Sequence, residues 1–403
     1  MAKATFIIVG AGVAAATAAA TLRSSGFDGR LVMVGQEPDP PYNRPTLSKE
    51  RLRNEITDDQ ALFHPPDYYR SKEIELLLDH PVQHLNAAEH SIQLANAAPL
   101  AYDNVLITTG AQLRYLNASG EQLPGVYYLR SLGDARALSR AFEQHPRVVV
   151  AGTGFIGCEV AASARSVGCD VTLVGNAPPL AHALGHEIGA LYTQYHRAQG
   201  VDVRTGTFVA RFEGSDRLER ALLQDGSRVD CDVAVIGIGV APSLEILRNT
   251  PVEVADGVLV NEFCQTSVPR VFAAGDVALS WYPRYAKRIR VEHFDNAQHQ
   301  AIVAAKAMLG PTDPYNPIPS FWSDQFSYSL RFRGNAPQWD SVAFRGDTRA
   351  GSFSAFYLTG GAVQAVCSVN RYAENYAAQR LIGKQIEPSL LEDDKINVKE
   401  IEV

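Results

Sequence analysis

The sequence of 403 residues predicts an α/β protein with two doubly wound domains followed by a C-terminal α+β domain. Two glycine-rich turns, at residues 10–15 and 152–157, each follow an apolar run and precede a predicted helix. From about Trp322 the pattern changes, and segments such as 352–358 alternate and are rich in aromatic residues, which is typical of antiparallel strands. The two turns predict the doubly wound domains, and the alternating segments predict the last domain.

The first glycine turn lies between a predicted buried strand at 4–9 and a predicted helix that ends at Gly26 and Gly29. The apolar run 31–34 then predicts the next strand of a parallel sheet. In such a strand–turn–helix the glycines let the backbone approach a pyrophosphate, which rests on the unpaired N–H groups of the helix N-terminus. The segment therefore predicts a dinucleotide site formed by Gly10, Gly12, Ala14 and Ala15.

The second glycine turn repeats this arrangement one domain later. It follows the apolar run 147–151, and the predicted strand 170–174 comes after its helix. Another apolar run, 233–236, also ends in glycines. One turn of this kind is a weak signal, but two in the same context predict two bound dinucleotides and electron transfer between them.

Composition narrows the function classes. The hydrophobic content of 46% and the charged content of 20% are ordinary for a globular protein. A net charge of −7 argues against a nucleic-acid partner, since such proteins normally carry a basic face. No uninterrupted apolar run is long enough for a membrane span, and the apolar start is interpreted as a strand and helix rather than a signal peptide.

The cysteines form no C-x-x-C pair, so the sequence supports neither a redox-active disulfide nor an iron–sulfur or zinc site. Scattered single cysteines fit a cytoplasmic protein in which they are small buried hydrophobes. We therefore expect no metal. Disulfide reductases are disfavoured because they need a cysteine pair. Peroxidases of related fold are disfavoured because they need a single cysteine, and residues 36–108 contain none. The five are Cys158, Cys169, Cys231, Cys264 and Cys367.

Together these segments resemble the FAD-dependent, NAD(P)H-linked ferredoxin reductases of oxygenase systems, which are related to rubredoxin reductase and apoptosis-inducing factor. Besides the two glycine turns, the motifs that carry the resemblance are 44–49 (RPTLSK), 273–277 (AAGDV), 322–325 (WSDQ) and 368–370 (SVN). The resemblance covers almost the whole chain and implies a glutathione-reductase-like fold with two dinucleotide-binding domains. It implies an FAD-binding domain at 1–111 and 244–319, an NAD(H)-binding domain at 112–243 and a C-terminal domain at 320–403.

The resemblance implies that the first glycine turn holds the FAD pyrophosphate. Arg44 is then expected beside the pyrophosphate and Lys49 beside the isoalloxazine ring, where a fixed positive charge stabilises the anionic reduced flavin. Gln36 and Glu37 are candidates for the adenosine ribose, the alternative for Glu37 being a solvated loop charge. Further FAD contacts are implied at Val82, Thr109, Gly110, Arg130, Gly275, Asp276 and Trp322.

Asp276 has two interpretations. Its carboxylate is expected to accept hydrogen bonds from the ribityl chain, and the small residues before it let that chain come close. It also has the sequence context of an N-cap for a following helix, and both roles are compatible.

The second glycine turn is then expected to bind the nicotinamide dinucleotide. Glu159 would approach the nicotinamide and pair with Lys49, the alternative being a first-turn glutamate favoured by the helix dipole. Gly175 stands where relatives carry a glutamate for the ribose diol of NAD, so NADH is expected with NADPH as the alternative. The predicted NAD residues are Gly152, Gly154, Phe155, Ile156, Gly157, Glu159, Gly175, Gly237, Ile238 and Gly239.

The implied function is a flavoprotein oxidoreductase that accepts hydride from NADH onto FAD and passes single electrons to a two-iron ferredoxin, which feeds an oxygenase. Lys49, Glu159 and Trp322 are the catalytic candidates, because they are expected to tune the flavin. Trp322 would shield the flavin and leave a short route for electrons, unless it serves domain packing. The alternative function is a redox switch resembling apoptosis-inducing factor, with slow NADH oxidation.

A basic stretch at 284–290 is a candidate docking patch for an acidic ferredoxin, the alternative being a solvated loop. Its cations are Arg284, Lys287, Arg288 and Arg290. No membrane or nucleic-acid partner is expected, and both a monomer and a homodimer are compatible with the sequence.

Overall fold

The computed structural model describes residues 3–402, which divide into two compact units. The first unit comprises the residues up to Pro45 together with Thr57–Leu113 and Val240–Pro317. The second unit comprises Thr46–Ile56, Arg114–Gly239 and the residues from Ile318 onward. The short segment Thr46–Ile56 therefore belongs to a different unit from the chain on either side of it.

A five-stranded parallel sheet forms the centre of the first unit. Its strands alternate between two buried faces: Phe6 and Ile8 point into one apolar cluster, and Ile7 and Val9 into another. Burial on both faces explains the continuous apolar runs 6–9, 31–34 and 105–107 in these strands. In spatial order the strands are Val271–Ala273, Asn104–Ile107, Thr5–Val9, Arg30–Val34 and Ile74–Leu77.

Helices Val13–Ser24 and Phe294–Leu309 pack together against this sheet. Their contact surfaces consist largely of alanines, which permit a close approach of the two backbones. The unit also contains helices Asp58–Ala61 and Pro66–Ser71 and 3-10 turns Glu245–Leu247 and Pro283–Tyr285. The 3-10 turn Arg44–Thr46 begins in this unit and ends at the first residue of the segment Thr46–Ile56. Its smaller sheets contain Val82–Asn86, Ser91–Leu94 and Leu100–Ala101; Ala111–Leu113 and Val240–Pro242; and Val254–Ala255, Gly257–Val260, Ala278–Tyr282 and Lys287–Arg290.

A second five-stranded parallel sheet lies in the second unit and repeats the strand–turn–helix arrangement of the first. In spatial order its strands are Asp202–Thr205, Asp170–Gly175, Arg147–Ala151, Val233–Ile236 and Val126–Tyr128. Its helices are Leu132–Phe142, Phe155–Ser166, Ala181–Leu184 and His186–Ala198. A separate antiparallel sheet consists of Val209–Glu213, Arg220–Leu223 and Arg228–Asp230.

The same unit contains a five-stranded antiparallel sheet formed by the C-terminal part of the chain. In spatial order its strands are Ser320–Gln325, Tyr328–Gly334, Ala362–Val369, Ser352–Thr359 and Ser341–Asp347. Helices Tyr372–Ala378 and Pro388–Glu392 follow, with 3-10 turns Gln379–Leu381 and Val398–Glu400. Two parallel α/β sheets and a C-terminal antiparallel sheet confirm the predicted fold class. Across residues 3–402, no helix combines the length and hydropathy needed to cross a bilayer.

Two local expectations are wrong. Asp276 does not cap a helix: the chain turns at Gly275 and continues into the strand Ala278–Tyr282, and the next α-helix begins only at Phe294. The reason is that alternate residues of this strand are buried, which favours pairing with Gly257–Val260. The basic stretch is likewise not a loop, because Lys287–Arg290 pairs antiparallel with Ala278–Tyr282.

Candidate functional site

The first glycine turn has the geometry of a phosphate cradle. Gly10 has φ +120°, and a Cβ there would lie 2.2 Å from the carbonyl oxygen of Thr108, so only glycine fits. At Gly12 a Cβ would meet no atom of residues 3–402 within 4 Å. Helix Val13–Ser24 begins there without a side-chain cap among the described residues, so its first N–H groups suit an anion. These residues fit a dinucleotide pyrophosphate.

The loop after the strand Arg30–Val34 leads to an acidic and a basic side chain in contact. Glu37 accepts hydrogen bonds from Tyr42 Oη at 2.6 Å and from Arg44 Nη2 at 3.2 Å, whereas Gln36 is exposed. Burial opposes the charge of Arg44, but Tyr42, Glu37 and Asp276 outweigh it and raise the pKa of this guanidinium. Glu37 is therefore a paired carboxylate and not the solvated loop charge of the alternative interpretation.

The turn that carries Asp276 is fixed by a residue that sequence reasoning missed. The N–H of Gly275, at φ +83°, donates to Gln300 Oε1 at 2.8 Å. Gln300 is fully buried on helix Phe294–Leu309, and its amide also donates to Ser280 Oγ at 2.7 Å. Gln300 thus connects the turn before Asp276 with the strand after it.

The remaining first-unit candidates occupy strand ends. Thr109 follows the strand Asn104–Ile107 and donates its hydroxyl to the carbonyl of Ser243 at 2.8 Å, and Gly110 has φ +67°. Val82 begins the strand Val82–Asn86 and packs against the apolar cluster on one face of the parallel sheet.

The second glycine turn, in the second unit, has the same geometry as the first. Gly152 has φ +126°, and a Cβ there would lie 2.2 Å from the carbonyl oxygen of Gly237. The structure thus brings together two predicted segments that are distant in the sequence. Gly154 has open space around it within the described chain, and helix Phe155–Ser166 begins there without a side-chain cap. These residues also fit a dinucleotide.

The remaining candidates of the second unit are placed as follows. Phe155 packs edge-on against Phe321 with ring centroids 4.9 Å apart, whereas Ile156 and Ile238 are exposed. Gly239 has φ +99°. Arg130 precedes helix Leu132–Phe142, and its N–H donates to Asp134 Oδ2 at 3.0 Å.

Gly175 is fixed by packing. A Cβ at this position would lie 2.5 Å from both Oγ1 and Cγ2 of Thr153, a buried residue of the second glycine turn. Any larger side chain at position 175 therefore requires Thr153 to move. Beyond it, Asn176 Oδ1 lies 3.1 Å from His182 Nε2. The space beside the end of this strand is thus filled by the side chain of Thr153.

Lys49 and Glu159 form a buried ion pair in the second unit. Lys49 Nζ lies 2.8 Å from Glu159 Oε2, and the two residues are only 5% and 3% exposed. Glu159 is the fifth residue of helix Phe155–Ser166, so the alternative of a first-turn glutamate held by the dipole is wrong. Ser48 Oγ donates to Oε2 at 2.5 Å and Ser323 Oγ to Oε1 at 2.7 Å.

The segment Thr46–Ile56 holds Lys49 in place through contacts with helix Phe155–Ser166. Ser163 Oγ donates to the carbonyl of Ser48 at 2.7 Å, and Arg53 Nη1 donates to Ser163 Oγ at 3.2 Å. Because this charge pair is buried and hydrogen-bonded, removing either of its charges is energetically costly. Ser48 lies inside the RPTLSK motif and Ser323 inside the WSDQ motif. Their place in these motifs was the only sequence feature that marked them, and no role was predicted for either.

Trp322 is half-buried in the strand Ser320–Gln325, directly opposite Arg331 of the neighbouring strand. Because side chains alternate along a strand, Trp322 and Ser323 point to opposite faces of the sheet. The strand therefore presents an indole on one face and a hydrogen bond to Glu159 on the other.

Comparison with known proteins agrees with this geometry. The model of the pyridine nucleotide-disulphide oxidoreductase family matches residues 4–301, and that of the reductase C-terminal domain matches residues 320–402. The chain is 35% identical over 401 residues to the biphenyl dioxygenase system ferredoxin–NAD(+) reductase component of Paraburkholderia xenovorans, with 98% of each chain covered. It is 35% identical over 404 residues to putidaredoxin reductase of Pseudomonas putida, with 98% of this chain and 96% of the relative covered.

Among solved structures, the covalent putidaredoxin reductase–putidaredoxin complex matches with a TM-score of 0.94 and 34% identity, covering 99% of this chain and 98% of that chain. The chain thus belongs to the pyridine nucleotide-disulphide oxidoreductase family. Within that family it is an NAD(P)H-dependent ferredoxin reductase of the type that serves oxygenase systems, as the sequence predicted.

Proposed function

We propose that the chain uses NADH as its electron donor, binds FAD, and reduces a two-iron ferredoxin. The buried Lys49–Glu159 pair is the single observation that carries this proposal, because desolvated charge pairs of this kind cluster at functional sites. When bound, FAD supplies the conversion of a two-electron donor into two one-electron transfers. The protein supplies binding, orientation and charge.

The proposed FAD residues divide by role. Gly10, Gly12, Ala14 and Ala15 bind the pyrophosphate at the uncapped helix N-terminus, with Arg44 as the neutralising cation. Glu37, Asp276 and the turn at Thr109 and Gly110 orient the cofactor through its hydroxyl and polar groups. Further contacts are proposed for Gln36, Val82, Arg130 and Gly275. The FAD-binding domain is proposed to comprise 1–111 and 244–319, the NAD(H)-binding domain 112–243 and the C-terminal domain 320–403.

The surroundings of the catalytic candidates support the roles that we propose for them. Lys49 supplies a fixed positive charge for the anionic reduced flavin, and Glu159 holds the Lys49 ammonium in place. Trp322, half-buried on the opposite face of its strand from Ser323, shields the cofactor and provides the exit for electrons. No general acid or base is required, because the donor delivers a hydride.

NADH is favoured over NADPH by the residues after the strand Asp170–Gly175. Gly175 and Asn176 begin a stretch that contains neither arginine nor lysine as far as Tyr195, so a 2′-phosphate would find no permanent cation there. We propose a cytoplasmic location for the protein. All five cysteines are buried and form no disulfide, which suits a reducing compartment.

Anaerobic stopped-flow mixing of the yellow protein with NADH and with NADPH tests the donor. We expect NADH to bleach the flavin at least tenfold faster than NADPH at equal concentration. The reverse order would overturn the nucleotide assignment. No bleaching by either nucleotide would mean that the second glycine turn does not bind a nicotinamide dinucleotide.

Three of the four cations in the basic stretch are candidates for ferredoxin docking. Arg284, Lys287 and Arg288 are exposed, although Arg288 also donates to the carbonyl of Val260. Arg290 is different, because its side chain is only 13% exposed and is paired with Asp256 and Glu292. An acidic partner would therefore meet the first three charges, which act chiefly on the rate of association.

Charge reversal tests this patch. We expect Lys287→Glu to lower the rate of ferredoxin reduction at low ionic strength and to flatten its salt dependence. The matched control is Lys72→Glu, which reverses an exposed charge elsewhere in the same unit. An equal effect of both variants would place docking elsewhere.

A further inference from the structure

A row of buried polar side chains extends from Glu159 through the second unit. Ser323 Oγ lies 2.7 Å from Glu159 Oε1, Gln325 Nε2 lies 3.0 Å from Ser323 Oγ, and Gln325 Oε1 lies 2.9 Å from His196 Nε2. Ser323, Gln325 and His196 are each at most 1% exposed. The row joins helix Phe155–Ser166, the strand Ser320–Gln325 and helix His186–Ala198.

The direction of every hydrogen bond in this row follows from the carboxylate at its end. The Glu159 carboxylate is the ion-pair partner of the Lys49 ammonium, and a carboxylate only accepts hydrogen bonds, so Ser323 must donate its hydroxyl hydrogen to it. The oxygen of Ser323 therefore accepts from the NH₂ group of Gln325. The amide oxygen of Gln325 then faces His196, so the imidazole must carry its hydrogen on Nε2 and donate.

The surroundings of His196 agree with a neutral ring. Burial lowers its pKa, although the hydrogen bond to Gln325 acts in the opposite direction. Its Nδ1 is buried and meets no hydrogen-bond partner in residues 3–402, as expected for an unprotonated nitrogen in an apolar setting. Phe326 packs edge-on against the ring at 5.4 Å between centroids.

We propose that Gln325 and His196 are positioning residues for Glu159. With Ser323 they form a one-way chain of donors that directs positive dipole ends at the carboxylate. The chain orients the Glu159 carboxylate, so that Oε2 remains available to Lys49. A chain of aligned donors strengthens each of its bonds in a low-dielectric interior. The consequence for electron transfer rests on the proposed function, in which Lys49 sets the charge beside the flavin.

The substitution Gln325→Glu tests the direction of the chain with little change in shape. A carboxylate at this position cannot donate, so Ser323 would donate to it instead and Glu159 would lose one donor. The new negative charge would also attract a proton to His196. The matched control is Tyr192→Phe, one turn earlier on the same helix, which removes a buried hydroxyl without a partner in the described chain.

Nitrogen-15 NMR of the histidine rings in the full-length holoenzyme gives the first readout. We expect wild-type protein and Tyr192→Phe to show His196 as the neutral tautomer with hydrogen on Nε2, and Gln325→Glu to show it doubly protonated at neutral pH. Hydrogen on Nδ1 in the wild type would overturn the proposed direction. This result does not depend on ferredoxin turnover, so it remains valid even if the proposed function fails.

The flavin midpoint potential and the rate of bleaching by NADH give the second readout. We expect Ser323→Ala and Gln325→Glu to shift the potential and to slow bleaching. The slowing should be roughly fivefold, which corresponds to the loss of one buried hydrogen bond. Ser323→Thr, which keeps the hydroxyl, should restore both. If His196 responds as expected but the potential and rate stay at wild-type values, the chain is structural and its positioning role is refuted.

Discussion

Removing the carboxylate from the Lys49–Glu159 pair is expected to destabilise the second unit. The substitution Glu159→Leu leaves a 5% exposed ammonium without its counter-ion and removes the acceptor of Ser48 and Ser323. Breaking a buried pair by deleting one partner typically costs about 3–5 kcal/mol. For a unit of this size about 3 kcal/mol lowers Tm by about 6–12 °C.

The double variant Lys49→Met with Glu159→Leu separates charge from packing. Because the buried charge is gone from both partners, we expect it to regain at least half of the lost Tm. Differential scanning calorimetry of the four proteins of this cycle gives the coupling between the two residues.

The control is Glu75→Gln, which breaks the exposed Arg30–Glu75 pair and should lower Tm by less than about 2 °C. A Glu159→Leu variant that melts within 2 °C of wild type, or a double variant no more stable than the single one, would show that the buried pair does not have this weight.

Three further predictions concern the nucleotide site, the indole and the thiols. Gly175→Glu alone should lower the affinity for NADH, because a Cβ at position 175 meets Thr153 at 2.5 Å. Gly175→Glu combined with Thr153→Gly should raise that affinity, as measured by fluorescence titration. Equal affinities of the two variants would exclude the steric explanation. Trp322→Ala should slow ferredoxin reduction more than flavin reduction in stopped-flow experiments, with Trp322→Phe intermediate, and equal slowing would remove its role as electron exit. Burial raises the pKa of Cys169 to about 11 and that of Cys264 to about 12, so these thiols stay protonated below about pH 10. They should therefore react with a thiol reagent only after unfolding. Fast reaction of the native protein at pH 8 would contradict their burial.

The fold was predictable from the sequence because its signals are local. Each glycine turn lies between a strand and a helix that are contiguous with it, and both turns have the positive φ at Gly10 and Gly152 that only glycine readily adopts. The alternating aromatic segments after Trp322 likewise carry their strand period in their own residues. Family resemblance added the pairing of Lys49 with Glu159, which no local pattern indicates.

The parts that escaped prediction depend on contacts between distant segments. Asp276 has the local features of an N-cap, but strand pairing with Gly257–Val260 decides the outcome. Gln300 fixes Gly275 from another helix, and nothing in its own neighbourhood marks it. The hydroxyl donors to Glu159 come from residues 48 and 323, so only the folded chain shows that they share one carboxylate.

Ferredoxin reduction by this chain is tested most directly by a single-turnover experiment with all components present. The holoenzyme is reduced anaerobically with one equivalent of NADH and then mixed with an excess of a two-iron ferredoxin, while flavin and ferredoxin absorbance are followed together. We predict rapid return of the flavin colour and two ferredoxins reduced for each NADH, because a hydride carries two electrons. A flavin that stays reduced for minutes, with no reduced ferredoxin formed, would contradict the account and favour a redox switch.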